Sequence, residues 1–458
     1  MFRHDTIAAL STPPGRGGIG VIRLSGPLAL EIASVIFTTE SRATLDAPSR
    51  VHFGRVVDPA TDDSVDEALL TYFRAPHSYT GEDVVELSCH GSPVILRRVL
   101  AMTVERGARI AEPGEFTFRA FLNRRIDLAQ AQAVRDCINA QTEYQARVAT
   151  RQLEGALSKR LMPIKEALVE VIVHLESSVE FVEDDISPEA SSALRERLEH
   201  VNESLKEVAG SFAFGRFVKE GFDLAIVGRP NVGKSSIFNR LVGHDRAIVT
   251  ELPGTTRDAL YENTSIAGVP VRLIDTAGIR ETRDIVERIG ITRSRTAIAD
   301  ADITLLVLDA SEPLTEDDRQ LLGDVPSARR LVAMNKTDLP MCIDSRALAE
   351  VVESDVLTLS AVIGEGFEEL IKAILARLSG DAALERDDIM ITDARQHAAV
   401  TQAIAQIDKA RDLMIERELE EIILLNLHSA LQSIGEISGE TLTDDILGQI
   451  FSTFCIGK

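Results

Sequence analysis

Along the chain the spacing of apolar residues changes period several times, and each change marks a different kind of element. Over residues 1–118 short apolar runs, Ile19-Gly20-Val21-Ile22-Arg23-Leu24 and Val84-Val85-Glu86-Leu87, are separated by glycine-rich stretches such as Thr12-Pro13-Pro14-Gly15-Arg16-Gly17-Gly18. Strands joined by turns follow, and an α+β segment. From residue 121 to about 214 apolar positions recur at helical spacing, clearest over residues 128–134 and 164–181, with few glycines. That predicts long helices. Asp184-Asp185-Ile186-Ser187-Pro188-Glu189 interrupts them and starts another, since Ser187 can cap and Pro188 suits a first turn.

Between about 217 and 379 short apolar runs alternate with amphipathic ones, and strands are expected at 224–227, 269–274, 303–309, 330–334 and 356–359. This alternation predicts a doubly wound α/β sheet. Beyond about 380 the helical period returns over 394–414, 419–434 and 442–454. A helical block interrupted by an α/β block and then resumed suggests an inserted domain. The division expected is 1–118, 119–216, 217–379 and 380–458, with 119–216 and 380–458 packing together. A chain of 458 residues accommodates roughly three domains at about 150 residues each.

Composition changes this picture little. Apolar residues at 45% and charged residues at 26% are ordinary for a globular protein. No apolar run approaches the roughly 18 residues of a membrane span, and the start of the chain lacks a signal-peptide pattern. A cytoplasmic protein without membrane association is expected. Cys89, Cys137, Cys342 and Cys455 lack metal-ligand or disulfide spacing and read as reduced thiols. The net charge, 49 − 72 = −23, repels nucleic acid overall, so any such contact is local. The basic stretch 119–165 is the candidate, with a solvated helix face as the alternative reading.

Candidate chemistry is concentrated in the α/β segment. Gly228-Arg229-Pro230-Asn231-Val232-Gly233-Lys234-Ser235 lies between an apolar run and an amphipathic one, the strand–loop–helix setting of a phosphate-binding loop. Its glycines let successive N–H groups and a helix N-terminus face phosphates. Lys234 then reaches the terminal phosphates and Ser235 holds Mg2+. Leu273-Ile274-Asp275-Thr276-Ala277-Gly278 places Asp275 near that ion and the Gly278 N–H near the terminal phosphate. Asn335-Lys336-Thr337-Asp338 selects the base, because the Asp338 carboxylate accepts both the ring N–H and the exocyclic amine of guanine. Ser360-Ala361 backs that pocket. Four motifs in this order predict a GTPase domain.

The nucleotide site expected comprises Asn231, Val232, Gly233, Lys234, Ser235 and Ser236; Thr250, Glu251, Leu252, Pro253, Gly254, Thr255 and Thr256; Asp275, Thr276, Ala277 and Gly278; Asn335, Lys336 and Asp338; and Ser360 and Ala361. Ile279 stands where small GTPases often carry a water-orienting Gln, so another group must position water. Gly254-Thr255-Thr256-Arg257-Asp258 reads as the first switch, with Thr256 able to reach Mg2+ and Arg257 as either an arginine finger or a surface residue.

The chain as a whole resembles the tRNA uridine modification GTPase family MnmE, also called TrmE. The resemblance rests on residues 12–18, Tyr79-Thr80-Gly81-Glu82-Asp83, Pro113-Gly114-Glu115-Phe116, Phe121-Leu122-Asn123, residues 254–258 and the terminal Cys455-Ile456-Gly457-Lys458. It implies a multidomain α+β and α/β protein: an N-terminal α+β tetrahydrofolate-binding and dimerisation domain, a helical domain, and an inserted Ras-like doubly wound P-loop G domain. It further implies a homodimer that works with the flavoprotein MnmG, in a heterotetramer or larger complex, on the wobble uridine (position 34) of certain tRNAs. An aminomethyl or carboxymethylaminomethyl group is added at ring carbon 5, the one-carbon unit coming from 5-formyl- or methylene-tetrahydrofolate.

Hydrolysis of GTP in this family requires K+ and transient G-domain pairing. By resemblance the K+ ligands are Asn231, Thr250, Leu252 and Thr255, and Glu287 positions the attacking water. The folate positions are Arg23, Glu86, Arg125 and Lys458, where Arg125 stands in place of the family's lysine, keeping charge but changing geometry. Cys455 is either a nucleophile in modification or a structural thiol beside the folate pocket, and His90 reads as structural. Two other readings compete: an RNA- or ribosome-associated regulatory GTPase, and a folate-dependent one-carbon transferase whose G domain is only structural. The N-terminal motifs and the Cys455 tail oppose the first; the intact Lys234, Ser235, Asp275 and Asp338 oppose the second.

Overall fold

The computed structural model describes residues 5–39, 45–180, 188–244, 261–275, 301–344, 348, 352, 356–379 and 390–457. Its contacts divide the chain into two compact units, Met1–Arg135 with Gly435–Lys458, and Asp136–Ile434.

In the first unit the strands β1 (Ile7–Leu10), β2 (Ile19–Ser25), β3 (Phe37–Thr38), β4 (Val51–Val57), β5 (Ser64–Phe73), β6 (Val84–His90) and β7 (Arg109–Ile110) form a seven-stranded sheet in the order β3-β4-β5-β6-β2-β1-β7. Alternation along β2 buries Ile22 and Leu24 and turns Arg23 to the opposite face. The helices Ala29–Ile36 and Pro93–Glu105 contribute Ile32, Ala33, Ile36, Leu96, Val99 and Met102 to the same core.

A second, aromatic core joins Leu128 and Ala131 to Leu447, Phe451 and Phe454, with Phe118 and Phe121 packed against it. Phe118 lies 4.6 Å from Phe451 between ring centroids. Leu447, Phe451 and Phe454 pack on Leu128 and Ala131, a contact between the segments 119–216 and 380–458, and residues 435–458 fall in the same unit as residues 1–135.

In the second unit β8 (Phe222–Val227), β9 (Tyr261–Ile266), β10 (Val269–Asp275), β11 (Ile303–Asp309), β12 (Arg330–Asn335) and β13 (Val356–Thr358) form a six-stranded sheet in the order β13-β12-β11-β8-β10-β9. All pairings are parallel except β9 with β10. Every residue of β11 is buried, as a central strand covered on both faces requires. The long helices Ala156–Glu180, Pro188–Gly210 and Ala394–Glu416 pack beside one another.

Entry to and exit from the α/β block are tied together. The Ile391 N–H donates to Ser211 Oγ at 3.0 Å, and Lys219 Nζ lies 3.0 Å from Asp136 and 3.2 Å from Asp393. Burial alone would raise the Asp393 carboxyl, but the Lys219 charge and hydrogen bond outweigh it and hold the group below the usual range. Both ends of the α/β block therefore leave the helical segments at one place, the geometry an insertion needs. Among the described residues no helix is long and apolar enough to cross a membrane.

Candidate nucleotide site and a second polar site

A parallel sheet directs its strand C-termini to one edge, and loops there form the ligand crevice. The phosphate-loop sequence follows β8, Asp275 ends β10 in register with Ile226, and Asn335 ends β12. Gly228, Asn231 and Gly233 all take positive φ, curling the loop so that the helix Lys234–His244 starts at its end. Gly233 cannot be replaced: with φ at 100°, a Cβ there would also meet Asn335 Nδ2 at 2.1 Å. Lys234 is 8% exposed, and its Nζ donates to the Gly228 and Arg229 carbonyls at 2.8 and 2.7 Å. Ser235 and Ser236 are exposed on the first turn. A hydroxyl at a helix N-terminus beside the end of an acid-terminated strand suits a hard cation such as Mg2+.

Asn335 fastens the base-side loops to the phosphate loop. Its Nδ2 donates to the Val232 carbonyl at 2.8 Å, and its Oδ1 accepts from the Ala361 N–H at 2.9 Å. Ser360, fully buried, donates to Asp338 Oδ1 at 2.5 Å and so aims the exposed carboxylate. Lys336 takes φ 68° and pairs with Asp309 at 2.5 Å. Burial works to raise the Asp309 carboxyl, yet hydrogen bonds from Lys336 and Ser311 prevail and lower it.

Asp309 and Asp318 extend the site's polar contacts beyond the motifs, Asp309 through Lys336 and Asp318 through Arg229. Arg229 donates to Asp318 Oδ1 at 2.9 Å. No motif signal marked Asp318, which caps its own helix Glu316–Asp324 through Thr315. The residues Thr250, Glu251, Leu252, Pro253, Gly254, Thr255, Thr256, Arg257, Thr276, Ala277, Gly278, Ile279 and Glu287 lie outside the described residues, as does the Asp275 side chain.

The first unit holds a second polar site. Arg23 faces Glu86 across β2 and β6, and its Nε and Nη2 lie 2.9 and 2.8 Å from Glu86 Oε1. The guanidinium also stands 5.5 Å from the Tyr79 ring centroid and 5.7 Å from that of Phe116. The end of the chain reaches this place: the Gly457 carbonyl accepts from Ser11 Oγ at 3.1 Å and from Arg23 Nη1 at 3.4 Å. Arg125 donates to the Ser78 carbonyl at 3.2 Å, beside Tyr79 in sequence. Cys455 is exposed, and its carbonyl accepts from the Gly114 N–H at 3.2 Å. Lys458 lies outside the described residues.

A carboxylate, cations and two aromatic faces suit a pterin with an acidic tail. The structure thus brings Arg23, Glu86 and residues 455–457 onto one unit and adds Tyr79 and Phe116, which the quoted motifs contained without their role being apparent.

Those motifs also build the support beneath. Arg119, 4% exposed, donates to Asp5, Glu82 and Glu115, while Arg109 bridges Asp5 and Glu115. Burial pushes the Glu115 carboxyl up, but the Arg109 hydrogen bonds, the Glu112 N–H and Arg119 bring the balance below the usual range. Cys89, on β6 with its side chain in the core, is pushed up to about 12 by burial and by Asp66, so it is not a nucleophile at neutral pH. His90 pairs with Asp66 at 2.6 Å on the surface.

The basic stretch 119–165 is largely engaged within the protein. Arg119 is in the buried network, Arg135 donates to Thr453, Arg147 stacks on Tyr144, Lys159 reaches the Glu154 carbonyl and Arg160 pairs with Glu207.

The chain is similar to known proteins along its whole length. A family model described as the MnmE helical domain matches residues 128–455, and one described as the GTP-binding protein TrmE N-terminus matches residues 6–125. The tRNA modification GTPase MnmE of Koribacter versatilis (strain Ellin345) is 49% identical over 460 residues, covering 100% of both chains. That of Aquifex aeolicus (strain VF5) is 44% identical over 457 residues, covering 99% of this chain and 100% of the relative. Among solved structures, the G domain of the T. maritima FeoB iron transporter is 31% identical with a TM-score of 0.27, over 35% of this chain and 99% of that one. The FeoB G domain from Methanococcus jannaschii is 28% identical with a TM-score of 0.26, over 35% and 98%. With family models spanning most of the sequence and relatives similar from end to end, the chain belongs to the MnmE (TrmE) family of tRNA modification GTPases.

Proposed function

We propose that this chain hydrolyses GTP in the service of tRNA wobble-uridine modification. The observation that carries the reading is Asn335, whose side chain joins the phosphate loop at Val232 to the base loop at Ala361, so that phosphate and guanine recognition form one rigid site. Lys234 neutralises the terminal phosphates, and Ser235 with Thr256 and Asp275 holds Mg2+, which offsets charge developing on the transferred phosphoryl. Asp338, aimed by Ser360, accepts the two guanine donors. Glu287 orients the attacking water in place of a Gln.

The finer family properties belong to the same proposal. Asn231, Thr250, Leu252 and Thr255 hold K+, which supplies charge stabilisation between the phosphates. In the first unit Glu86 takes the amide and amine edge of a tetrahydrofolate, and Arg23, Arg125 and Lys458 face its carboxylates. The exposed Cys455 at this site acts in modification rather than in hydrolysis. Function as a cytoplasmic homodimer with the MnmG flavoprotein, acting on tRNA, completes the reading, and the four-part division at 118, 216 and 379 is retained within it, with residues 435–457 serving the N-terminal unit.

The test is steady-state GTP hydrolysis in KCl against NaCl at equal ionic strength, repeated with Asn231→Ala. The reading expects a rate high only in K+ and lost in the variant; equal rates in both salts favour a regulatory GTPase without cation-assisted chemistry.

A further inference from the structure

Arg240 belongs to none of the nucleotide motifs, yet it joins two of them. It sits on the helix Lys234–His244, which begins at the phosphate-loop lysine, and reaches across to the base loop. Its Nε donates to the Ala361 carbonyl at 3.1 Å and its Nη2 to the Val362 carbonyl at 2.9 Å. The guanidinium carbon lies 5.4 Å from the ring centroid of Phe367, the first residue of the following helix. Gly364, with φ at 93°, closes over it so tightly that a Cβ would stand 2.3 Å from Arg240 Nη1.

The tip of this loop has little apolar contact to seat it. Val362 and Ile363 are 74% and 60% exposed, so its tip gains almost nothing from apolar burial. Its other ties are Ser360 Oγ, bonded to Asp338 and accepting from the Ile363 N–H, the Ala361 N–H, bonded to Asn335, and two backbone bonds within the loop, Ser360 N–H to the Glu365 carbonyl at 3.0 Å and Gly364 N–H to the Ser360 carbonyl at 2.8 Å. Of these, only the bonds to Asp338 and Asn335 reach outside the loop. A planar guanidinium donating to two successive carbonyls fixes both the height and the rotation of the peptide between them, which a lysine ammonium cannot do. Rotation of that peptide moves Ser360, and Ser360 aims the carboxylate that distinguishes guanine.

We propose that Arg240 is a positioning residue for guanine recognition: by holding the Ala361 and Val362 carbonyls it keeps Ser360 on Asp338 and so sets base selectivity from the phosphate-side helix. The inference rests on the guanine-pocket reading given above and adds a determinant to it.

The experiment compares GDP with IDP, which lacks the 2-amino group, by equilibrium binding to the full chain, with GTP turnover and thermal melting measured alongside. Wild type is expected to prefer GDP by about 10-fold or more, the scale of one lost buried hydrogen bond to a charged group. Arg240→Ala should reduce the preference to within about 3-fold and raise KM for GTP about 10-fold, with kcat within about 2-fold. An Arg240→Ala protein that keeps the wild-type GDP:IDP ratio, whatever happens to its melting temperature or absolute affinity, overturns the proposal and leaves the arginine a fold-stabilising contact. Arg240→Lys serves if the alanine variant does not fold: a ratio between the two is expected, and a wild-type ratio overturns it. If wild type itself fails to prefer GDP over both IDP and ADP, the guanine-pocket reading falls instead, a result distinct from failure of Arg240 alone.

Discussion

The two polar sites of this protein are built on opposite plans. The nucleotide site is assembled from short contiguous motifs, each at the end of a parallel strand, so that the sheet alone brings Gly228 to Ser235, Asn335 to Asp338 and Ser360 together. The motifs around Arg23, which carry Tyr79, Phe116 and Gly457, are not brought together by parallel strand ends. This site depends on the antiparallel register that sets Arg23 opposite Glu86 and on the return of the chain's end, where Gly457 meets Ser11. A site of the first kind tolerates sequence drift outside its motifs. A site of the second kind couples its chemistry to the folding of residues far apart in the chain.

Substitutions can break this contrast, the largest effects first. Lys234→Ala should lower GTP turnover by about 100-fold or more, because Arg229, the other cation of the phosphate loop, is held by Asp318 and Glu312; phosphate release under saturating GTP measures it, and a rate near wild type removes the loop from the mechanism. Asp338→Asn should weaken GTP binding by about 100-fold and shift preference toward xanthine nucleotides, checked by competition between GTP and XTP. Cys455→Ser should abolish wobble-uridine modification, read by nucleoside mass spectrometry of tRNA from cells carrying only that variant, while GTP hydrolysis stays within about 2-fold of wild type. Retained modification would make the thiol a packing group.

The comparison also predicts a difference in acid. Asp5 and Glu115 titrate below their ordinary values of 3.8 and 4.5, in both cases because hydrogen bonds and charge from Arg109 and Arg119 outweigh the upward push of burial. A carboxyl whose folded pKa is depressed contributes stability that is present above its unfolded pKa and is lost as pH falls through the folded one. Melting of the N-terminal unit should therefore hold steady from neutral pH to about 5 and decline below about 4.5, and Glu115→Gln should flatten that decline while lowering stability at neutral pH. Calorimetry across pH 3–7 measures both. The smallest effect expected is at Thr142, whose Oγ accepts from the Gln145 N–H at 3.1 Å and donates to the Gly268 carbonyl at 2.6 Å. Thr142→Val should cost about 1 kcal/mol of the second unit's stability.

The same contrast explains what could be read without coordinates. The parallel strands β8, β10, β11, β12 and β13 lie within a residue or two of their expected places because buried strands are continuous apolar runs. β9, Tyr-Glu-Asn-Thr-Ser-Ile, carried no such run and was not expected; as the antiparallel edge strand it needs only one covered face. β4 and β5 were missed for a related reason, since Val51, Phe53 and Leu69 stand exposed on the sheet's outer face and blur the alternation. Asn335 and Asp338 announced themselves through spacing, whereas Arg240 did not, because its partners are backbone carbonyls and leave no side-chain signature. Glu86 became legible through the family resemblance, and the buried network of Asp5, Glu82, Arg109, Glu115 and Arg119 supplies the physical reason the N-terminal motifs hold their residues. Helical periodicity says which face is apolar and not what covers it; the structure supplies the cover for the C-terminal aromatic residues, Phe451 and Phe454 packing on Leu128 and Ala131.

The most direct test of the account is one preparation of Arg23→Ala protein, assayed for GTP hydrolysis in KCl and for wobble-uridine modification in cells. The account predicts hydrolysis at about the wild-type rate with modification lost, as separate sites on separate units require. Hydrolysis falling together with modification would contradict it, and would mean that the two sites form a single catalytic unit.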